Sequence, residues 1–477
     1  DRAADLGSHE QARLFLEQAL DVTTDPADRA ELHEGAYAAA QNVVDPAPLL
    51  RHAAAAVEER RKTGDRVRIA MAEALRAQSL TTARTDPVEA LRVVEAAWQE
   101  FADLEETRGG VALMVGLMRA YRGLADNVRA LEWTDRLLPI AERLGDLEPI
   151  ARGLQGRGIS LLVTGRPSEG IILLRGAHDL ALANDLNDVE LSSRVLLTFY
   201  EQWGNPAAGL ALGREGLEIG ERQGSRAYSL QMIGNSVISA IRTGEWDWAA
   251  SVLDDWLGLA REDNFWIEIY FDRALLHALR GLDTSADIEA GARLRAGVTD
   301  PQFESYERLA RAAAAFAAGE LRTAVEEAER SADLTDYFRP LATPLAARAA
   351  LWARDAATAR RLVEAPGLAA FSGAALDADR ARIAAGIAAL ENRRPEALAG
   401  FLDAFRAYRQ LGLRFDEAAA AVDLAVLLPD HAKDSSAAAE AIAAARETLE
   451  QLGARPYLER LHGATSAAAL VPVFSTR

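Results

Sequence analysis

An all-α solenoid of stacked helix pairs is the fold class this sequence predicts, and three observations predict it. First, turn signals recur along the chain: Val44-Asp45-Pro46, Thr85-Asp86-Pro87, Ala125-Asp126-Asn127, Gly165-Arg166-Pro167, Gly204-Asn205-Pro206, Gly244-Glu245, Gly281-Leu282-Asp283, Gly319-Glu320 and Asn392-Arg393-Arg394-Pro395. They lie roughly 37–41 residues apart, with Arg354-Asp355 bridging the last gap, and a period in that range marks an array of helix pairs. Second, another set of breaks falls between them: Gly64-Asp65, Gly145-Asp146, Asn184-Asp185, Gly224-Ser225, Asp263-Asn264, Pro366-Gly367, Gly412 and Gly453. Third, hydrophobic residues make up 49% of the chain but aromatics only 6%. Much of the remainder is alanine, which has the best helix propensity and lets helices approach closely.

The segment from Ser225 to Asn264 shows how each unit is built. Leu230, Ile233, Val237 and Ile241 recur at three- and four-residue spacing and form one apolar stripe. Gly244 ends that helix, and Glu245 opens the next, where a carboxylate favours the N-terminus. Ala249, Leu253, Trp256, Leu257 and Ala260 form the second stripe. Each helix is expected to run about 15–19 residues, or roughly 25 Å. Counted this way the chain holds about eleven pairs, the first of them incomplete. The array weakens late. Arg354 to Ala365 predicts a short second helix, and Pro366-Gly367 follows. The organisation expected is therefore a main solenoid over 1–365, C-terminal repeats over 366–461 after a bend, and a tail over 462–477. The last pair begins at Ser435 and ends at Leu452-Gly453, with a short helix through Tyr457–Leu461 beyond it.

The formal net charge is −19, which repels phosphate backbones and argues against direct nucleic-acid binding. The sequence has no cysteine, so disulfides, thiolate metal sites and a cysteine nucleophile are excluded. No stretch approaches 18 uninterrupted apolar residues, so no membrane-spanning helix is predicted, and a cytoplasmic location is expected. The chain opens on Asp1, with no signal-peptide pattern, and Asp1–Leu6 resembles the tail of a helix; a piece of a larger polypeptide is the expectation. Searches for chemistry return little. There is no G-x-x-x-x-G-K-[ST] loop. Gly153, Gly156 and Gly158 lie inside a helical pattern with no preceding strand, and close helix packing explains them. No two of the seven histidines sit at i, i+4. Asp254-Asp255 lacks the third carboxylate of a helical diacid motif, because Gly258 stands there. No catalytic residue, metal site or cofactor is predicted, and an enzyme is not expected.

Ile233-Gly234-Asn235 followed by Gly244-Glu245-Trp246-Asp247-Trp248-Ala249 resembles the tetratricopeptide signature, which wants small residues where two helices cross, then a turn, then alanine. The match recurs loosely at Gly165–Gly170, Gly319–Ala324 and Arg394–Ala397. The resemblance implies a right-handed α-solenoid of about eleven tetratricopeptide-like helix pairs. Its period, roughly 39 residues, exceeds the standard 34 by about one helical turn. That longer unit is similar to the solenoid arms of signal-transduction ATPases with numerous domains, as in large LuxR-type regulators and actinobacterial cyclase–ATPase fusions. The opening Ala4–Leu32 resembles the start of such an arm, and Leu449–Pro456 resembles its end. The resemblance implies a non-catalytic, effector-sensing module that binds a protein, peptide or small effector in its concave groove. It also implies nucleotide-binding and output domains elsewhere in the parent protein. A free-standing scaffold or co-chaperone is the alternative, and an α/α-toroid enzyme a more distant one.

Four of the eight tryptophans, Trp246, Trp248, Trp256 and Trp266, fall within twenty-one residues. Tryptophan is enriched at binding hot spots. Trp266, Tyr270 and Arg273 follow at offsets of four and three, which places them on one face of a first helix; such helices line the groove in tetratricopeptide-like arrays. Arg194 and Gln231, on the first helices of the preceding repeats, are the supporting candidates. Arginines in a groove of an acidic protein suit a carboxylate or phosphate.

Overall fold

Aspartate, asparagine and proline at helix starts, with left-handed residues at helix ends, cut this chain into short helices, the longest of 18 residues. A computed structural model describes residues 8–43, 46–83, 86–260, 264–298, 300–429 and 435–467. These contain 25 α-helices and no strand. Helix α1 (His9–Val22) is the first helix among the described residues. Pairs follow: α2 (Pro26–Asn42) with α3 (Pro46–Thr63), α4 (Arg66–Thr82) with α5 (Pro87–Glu100), α6 (Arg108–Gly123) with α7 (Asn127–Leu144) and α8 (Leu147–Val163) with α9 (Pro167–Ala183). Next come α10 (Asn187–Glu201) with α11 (Pro206–Arg222), α12 (Arg226–Thr243) with α13 (Trp246–Leu257), α14 (Ile267–Arg280) with α15 (Ser285–Arg295) and α16 (Pro301–Ala318) with α17 (Leu321–Leu334). Then α18 (Arg339–Trp352) pairs with α19 (Ala356–Val363), and a four-residue helix α20 (Pro366–Ala369) follows. Pairs α21 (Ala374–Leu390) with α22 (Arg394–Gln410) and α23 (Arg414–Leu427) with α24 (Ser436–Leu452) lead to a final helix α25 (Arg455–Ala467). The chain is thus a right-handed α-solenoid of eleven tetratricopeptide-like pairs, flanked by one helix at each end.

The turn marks have a common structural cause. Asp86, Asp126, Asn205 and Asp355 cap the second helix of their pairs, each accepting a backbone N–H with its side chain. The residues before Asp126 and Asp355 are left-handed, Ala125 at φ 60° and Arg354 at φ 65°, and Gly244 (φ +82°) and Asn392 (φ 62°) adopt the same conformation ahead of α13 and α22. Helix α25 runs on to Ala467, beyond the Leu461 end expected. Val44-Asp45, Thr85, Asp263, Asp1–Leu6 and most of the tail lie outside the described residues.

The first helix of each pair lines the inside of the superhelix, which completes one turn in five repeats and brings α12 against α2. Two ties secure that closure: the His9 ring nitrogen Nε2 lies 2.7 Å from the Gln223 carbonyl, and Asn264 Nδ2 donates to the Ala83 carbonyl at 2.8 Å. After α20 the chain turns inward. Ala375 and Leu376 donate backbone hydrogen bonds to Gly204 and Trp203, and Trp203 packs edge-on against Phe371. Helices α21, α23 and α25 then lie inside the arc of α12, α14, α16 and α18 and pack onto it. One hydrophobic core runs from Leu210 to Leu461 without a break at residue 366. Arg242 locks this second turn: it donates to Asp416 (2.5 Å), to both oxygens of Asp379 (2.9 and 3.0 Å) and to the Gln202 carbonyl (3.1 Å). Arg348 and Arg382 pair with Asp423, which also accepts from Trp352 Nε1.

Glycines set the closest crossings. A Cβ on Gly158 would lie 2.9 Å from the Gly170 carbonyl, and one on Gly170 would lie 2.6 Å from that of Gly158, so α8 and α9 touch backbone to backbone. Gly156 leaves room for the Met118 side chain of α6, and Gly153 for Leu138 of α7, so packing accounts for the Gly153–Gly158 run. Gly234 differs from expectation. It faces Asp272 of α14 at ordinary contact distance rather than the crossing with α13, while Ala249 is fully buried.

Candidate functional site

Each superhelical turn encloses a lumen, and the two are lined differently. The second has a volume of about 160 Å³ and leucine, isoleucine and proline walls from α12, α14, α16 and α18. Its charged floor is the Arg242–Asp379–Asp416 cluster with Arg348 and Arg382, and Asp423 behind the last two completes the charge balance.

The first lumen, of about 170 Å³, is polar. Six successive inner helices contribute to it: Gln41 from α2, Gln78 from α4, Arg119 and Arg122 from α6, Arg152 and Gln155 from α8, Asp188 and Ser192 from α10, and Tyr228 and Gln231 from α12. Met118, Val195, Leu196 and Phe265 supply an apolar side. Arg152 donates to Asp188 at 2.5 Å and to Glu148 at 2.9 Å, and the Tyr228 hydroxyl donates to the other Asp188 oxygen at 2.6 Å. Burial alone would raise the Asp188 carboxyl, but the Arg152 charge and these hydrogen bonds hold it below the usual range. The Tyr228 hydroxyl is pushed well above its ordinary value, by burial first and by Asp188 second. Gln155 Nε2 donates to the Val189 carbonyl and to the hydroxyls of Ser192 and Ser193, which fixes the α8–α10 side of the wall.

Arg119 and Arg122 have no such partner. Neither side chain makes a hydrogen bond or ion pair with the described residues, and Arg119 Nε is buried with nothing to donate to. Burial and the positive charges of Arg152 and Arg122 depress the Arg119 pKa. In a protein of net charge −19 the lumen thus gathers three guanidiniums: Asp188 and Glu148 take Arg152, and Arg119 and Arg122 have no carboxylate partner among the described residues.

Of the residues singled out by sequence, Gln231 lines this lumen. The others lie elsewhere. Trp266 is 3% exposed and sits in a 3₁₀ turn ahead of α14 rather than on it, 6.4 Å from Trp256 between ring centres. Tyr270 is half-buried against the core. Arg273 turns toward the outer helices, where Asp287 (2.6 Å) and Asp254 (3.2 Å) take its charge. Arg194 is buried and paired with Glu190 and Glu215. The tryptophans fill seams between elements: Trp248 lies under Arg214 of the preceding repeat and Trp256 beside Trp266, while Trp246 packs on Phe415 of α23 and donates to the Ile241 carbonyl. The lining residues carry a faint sequence signal: they recur about one period apart on inner helices, as do Asp188 and Tyr228, which are 40 residues apart. No metal-binding cluster of three or more His, Cys, Asp or Glu occurs among the described residues, and no described helix is long and apolar enough to cross a membrane.

Fold and lumen together define a helix-pair α-solenoid with a polar inner wall. No protein-family model matches the chain, and no curated protein matches it. Among solved structures it is similar to the one titled "Crystal structure of APC/C hetero-tetramer Cut9-Hcn1", at 16% sequence identity and a TM-score of 0.47, over 98% of this chain and 88% of that chain. The repeated helix pairs of this chain are what establish its fold class.

Proposed function

We propose that this chain is the effector-sensing, protein-interaction solenoid of a larger cytoplasmic signalling ATPase or transcriptional regulator, and that the lumen of its first superhelical turn is the binding surface. One observation carries the reading. Both turns enclose a lumen, but among the described residues only the first leaves lining arginines, Arg119 and Arg122, without a carboxylate partner. A charge left uncompensated in a protein wall costs free energy, so its presence on a converging inner surface suits a partner from outside. Six repeats contribute to that surface, so an effector there would bias the pitch of the whole turn and, through it, any attached nucleotide-binding domain.

A photo-crosslinking amino acid placed at Gln78 or Gln231, compared with one at Ile172 on the outer face (67% exposed), tests the binding surface. Adducts formed in cells from the two inner positions and not from Ile172 are expected; equal labelling from Ile172 would refute the reading. The parent context is tested separately, by a phosphate-binding loop encoded upstream in the same reading frame.

A further inference from the structure

The first lumen also carries information about the chemistry of its ligand, an inference that rests on the lumen being the binding surface. Three features bear on it. The unpaired donors, Arg119 and Arg122, stand one helical turn apart on α6 and reach the same cavity. A planar guanidinium offers paired N–H groups that match the two oxygens of a carboxylate or phosphate. The neighbouring cation, Arg152, is held by Asp188, Glu148 and Tyr228, so it shapes the far wall and adds its field without being the free donor. The apolar side of the cavity, formed by Met118, Val195, Leu196 and Phe265, requires that the ligand also present carbon surface. Size sets the rest. A cavity of about 150 Å³ accommodates benzene, and this one measures about 170 Å³.

We propose that the first-turn lumen binds a small organic oxyanion, a carboxylate or phosphate carried on a body about the size of a six-membered ring, with Arg119 and Arg122 gripping the anion and Phe265 and Met118 covering the body. The ligand spans α6 and the 3₁₀ turn ahead of α14, which carries Phe265 next to Asn264. Binding therefore tightens the tie between that turn and the end of α4, where Asn264 donates to the Ala83 carbonyl.

The test uses the whole chain. Benzoate, phenyl phosphate and inorganic phosphate are titrated by calorimetry at constant ionic strength against wild type, Arg119→Met, Arg122→Met and Arg119→Lys, with folding checked by circular dichroism. Binding of benzoate or phenyl phosphate to wild type is expected, weakened at least tenfold in each Met variant and within a few-fold of wild type in Arg119→Lys. Preference between those two probes assigns the carboxylate or the phosphate source. The bound ligand is expected to slow amide exchange at the end of α4 and in the 3₁₀ turn ahead of α14. In the absence of ligand, Arg119→Met is expected to melt at a higher temperature than wild type, because it removes an uncompensated charge. The proposal fails if neither organic probe binds wild type, if inorganic phosphate alone binds, if Arg119→Met binds unchanged, or if that variant melts lower without ligand, which would make the guanidinium structural. Should crosslinks form at Gln78 and Gln231 while no organic anion binds, the interaction surface stands and only its anion chemistry falls.

Discussion

His33 and His52 meet with their Nδ1 atoms 3.0 Å apart, one ring donating and the other accepting, while His52 Nε2 contacts Glu17 at 3.0 Å. Burial pushes His33 down to about 4, helped by repulsion from His52, Arg29 and Arg51 and opposed by Glu59. His52 is also pushed down, chiefly by burial, although its hydrogen bond to Glu17 works the other way. A histidine depressed in the folded state is protonated more readily in the unfolded chain, so stability falls as pH drops through the unfolded value near 6.5. His178 has the opposite sign: Glu190 raises it, so its contribution is full below that value and fades as pH rises. The buried carboxyls of Asp272, Asp416 and Glu201 are raised and act with the opposite sign, so the histidine share is read as a difference. From about pH 6.5 to pH 5 the urea midpoint of the wild type is expected to fall relative to that of a His33→Gln, His52→Gln double variant. A constant difference between the two over that interval would contradict this account.

At the scale of the helix pair, two positions make opposite predictions from the same backbone logic. Ala125 stands left-handed (φ 60°) between α6 and α7, where glycine stands in other repeats. A left-handed L-residue costs about 1–2 kcal/mol and glycine's added freedom offsets part of the gain, so Ala125→Gly is expected to stabilise by about 0.5–1 kcal/mol. Gly158 lies where α8 meets the backbone of α9, so Gly158→Ala must push the helices apart and is expected to cost about 1–3 kcal/mol. Denaturant titration of both variants checks the pair; matching signs would show that the crossing or the turn is misread. These elements were legible beforehand. Caps, left-handed turn residues and i, i+3, i+4 stripes are local features, and they located the pairs on either side of the gaps. Helix α25 runs past its expected end at Leu461 through exposed and half-buried residues that carry no apolar stripe to announce them.

Over the whole molecule, the decisive feature is that the last three inner helices fold into the arc of the middle repeats. Arg242 joins helices separated by 174 residues, and both of its acidic partners become uncompensated if it is lost. Removing one member of a buried charge cluster typically costs about 3–5 kcal/mol. Arg242→Met is therefore expected to lower stability by that order and to loosen α21–α25 from the arc. Small-angle scattering should report a larger radius of gyration, and amide exchange should speed up in α23 and α25. A variant that also carries Asp379→Leu and Asp416→Leu should recover much of the loss. Unchanged scattering and exchange in Arg242→Met would show that apolar packing alone closes the turn.

The periodicity, the caps and the small residues at crossings follow from interactions within about forty residues, and a single sequence displays them. That is why the all-α class, the eleven pairs and the weak stretch around Arg354–Gly367 could be read directly. Which arginines are free depends instead on where the superhelix sends them. Arg273 and Arg194 look available along the chain, yet their helices rotate them onto outer carboxylates. Arg119 and Arg122 attract no notice in the sequence, and only the pitch of the superhelix brings six repeats around them and leaves their charges unmet. Pitch is the sum of small crossing angles set by many side-chain contacts, so the tertiary structure alone decided where the lumen lies and what lines it.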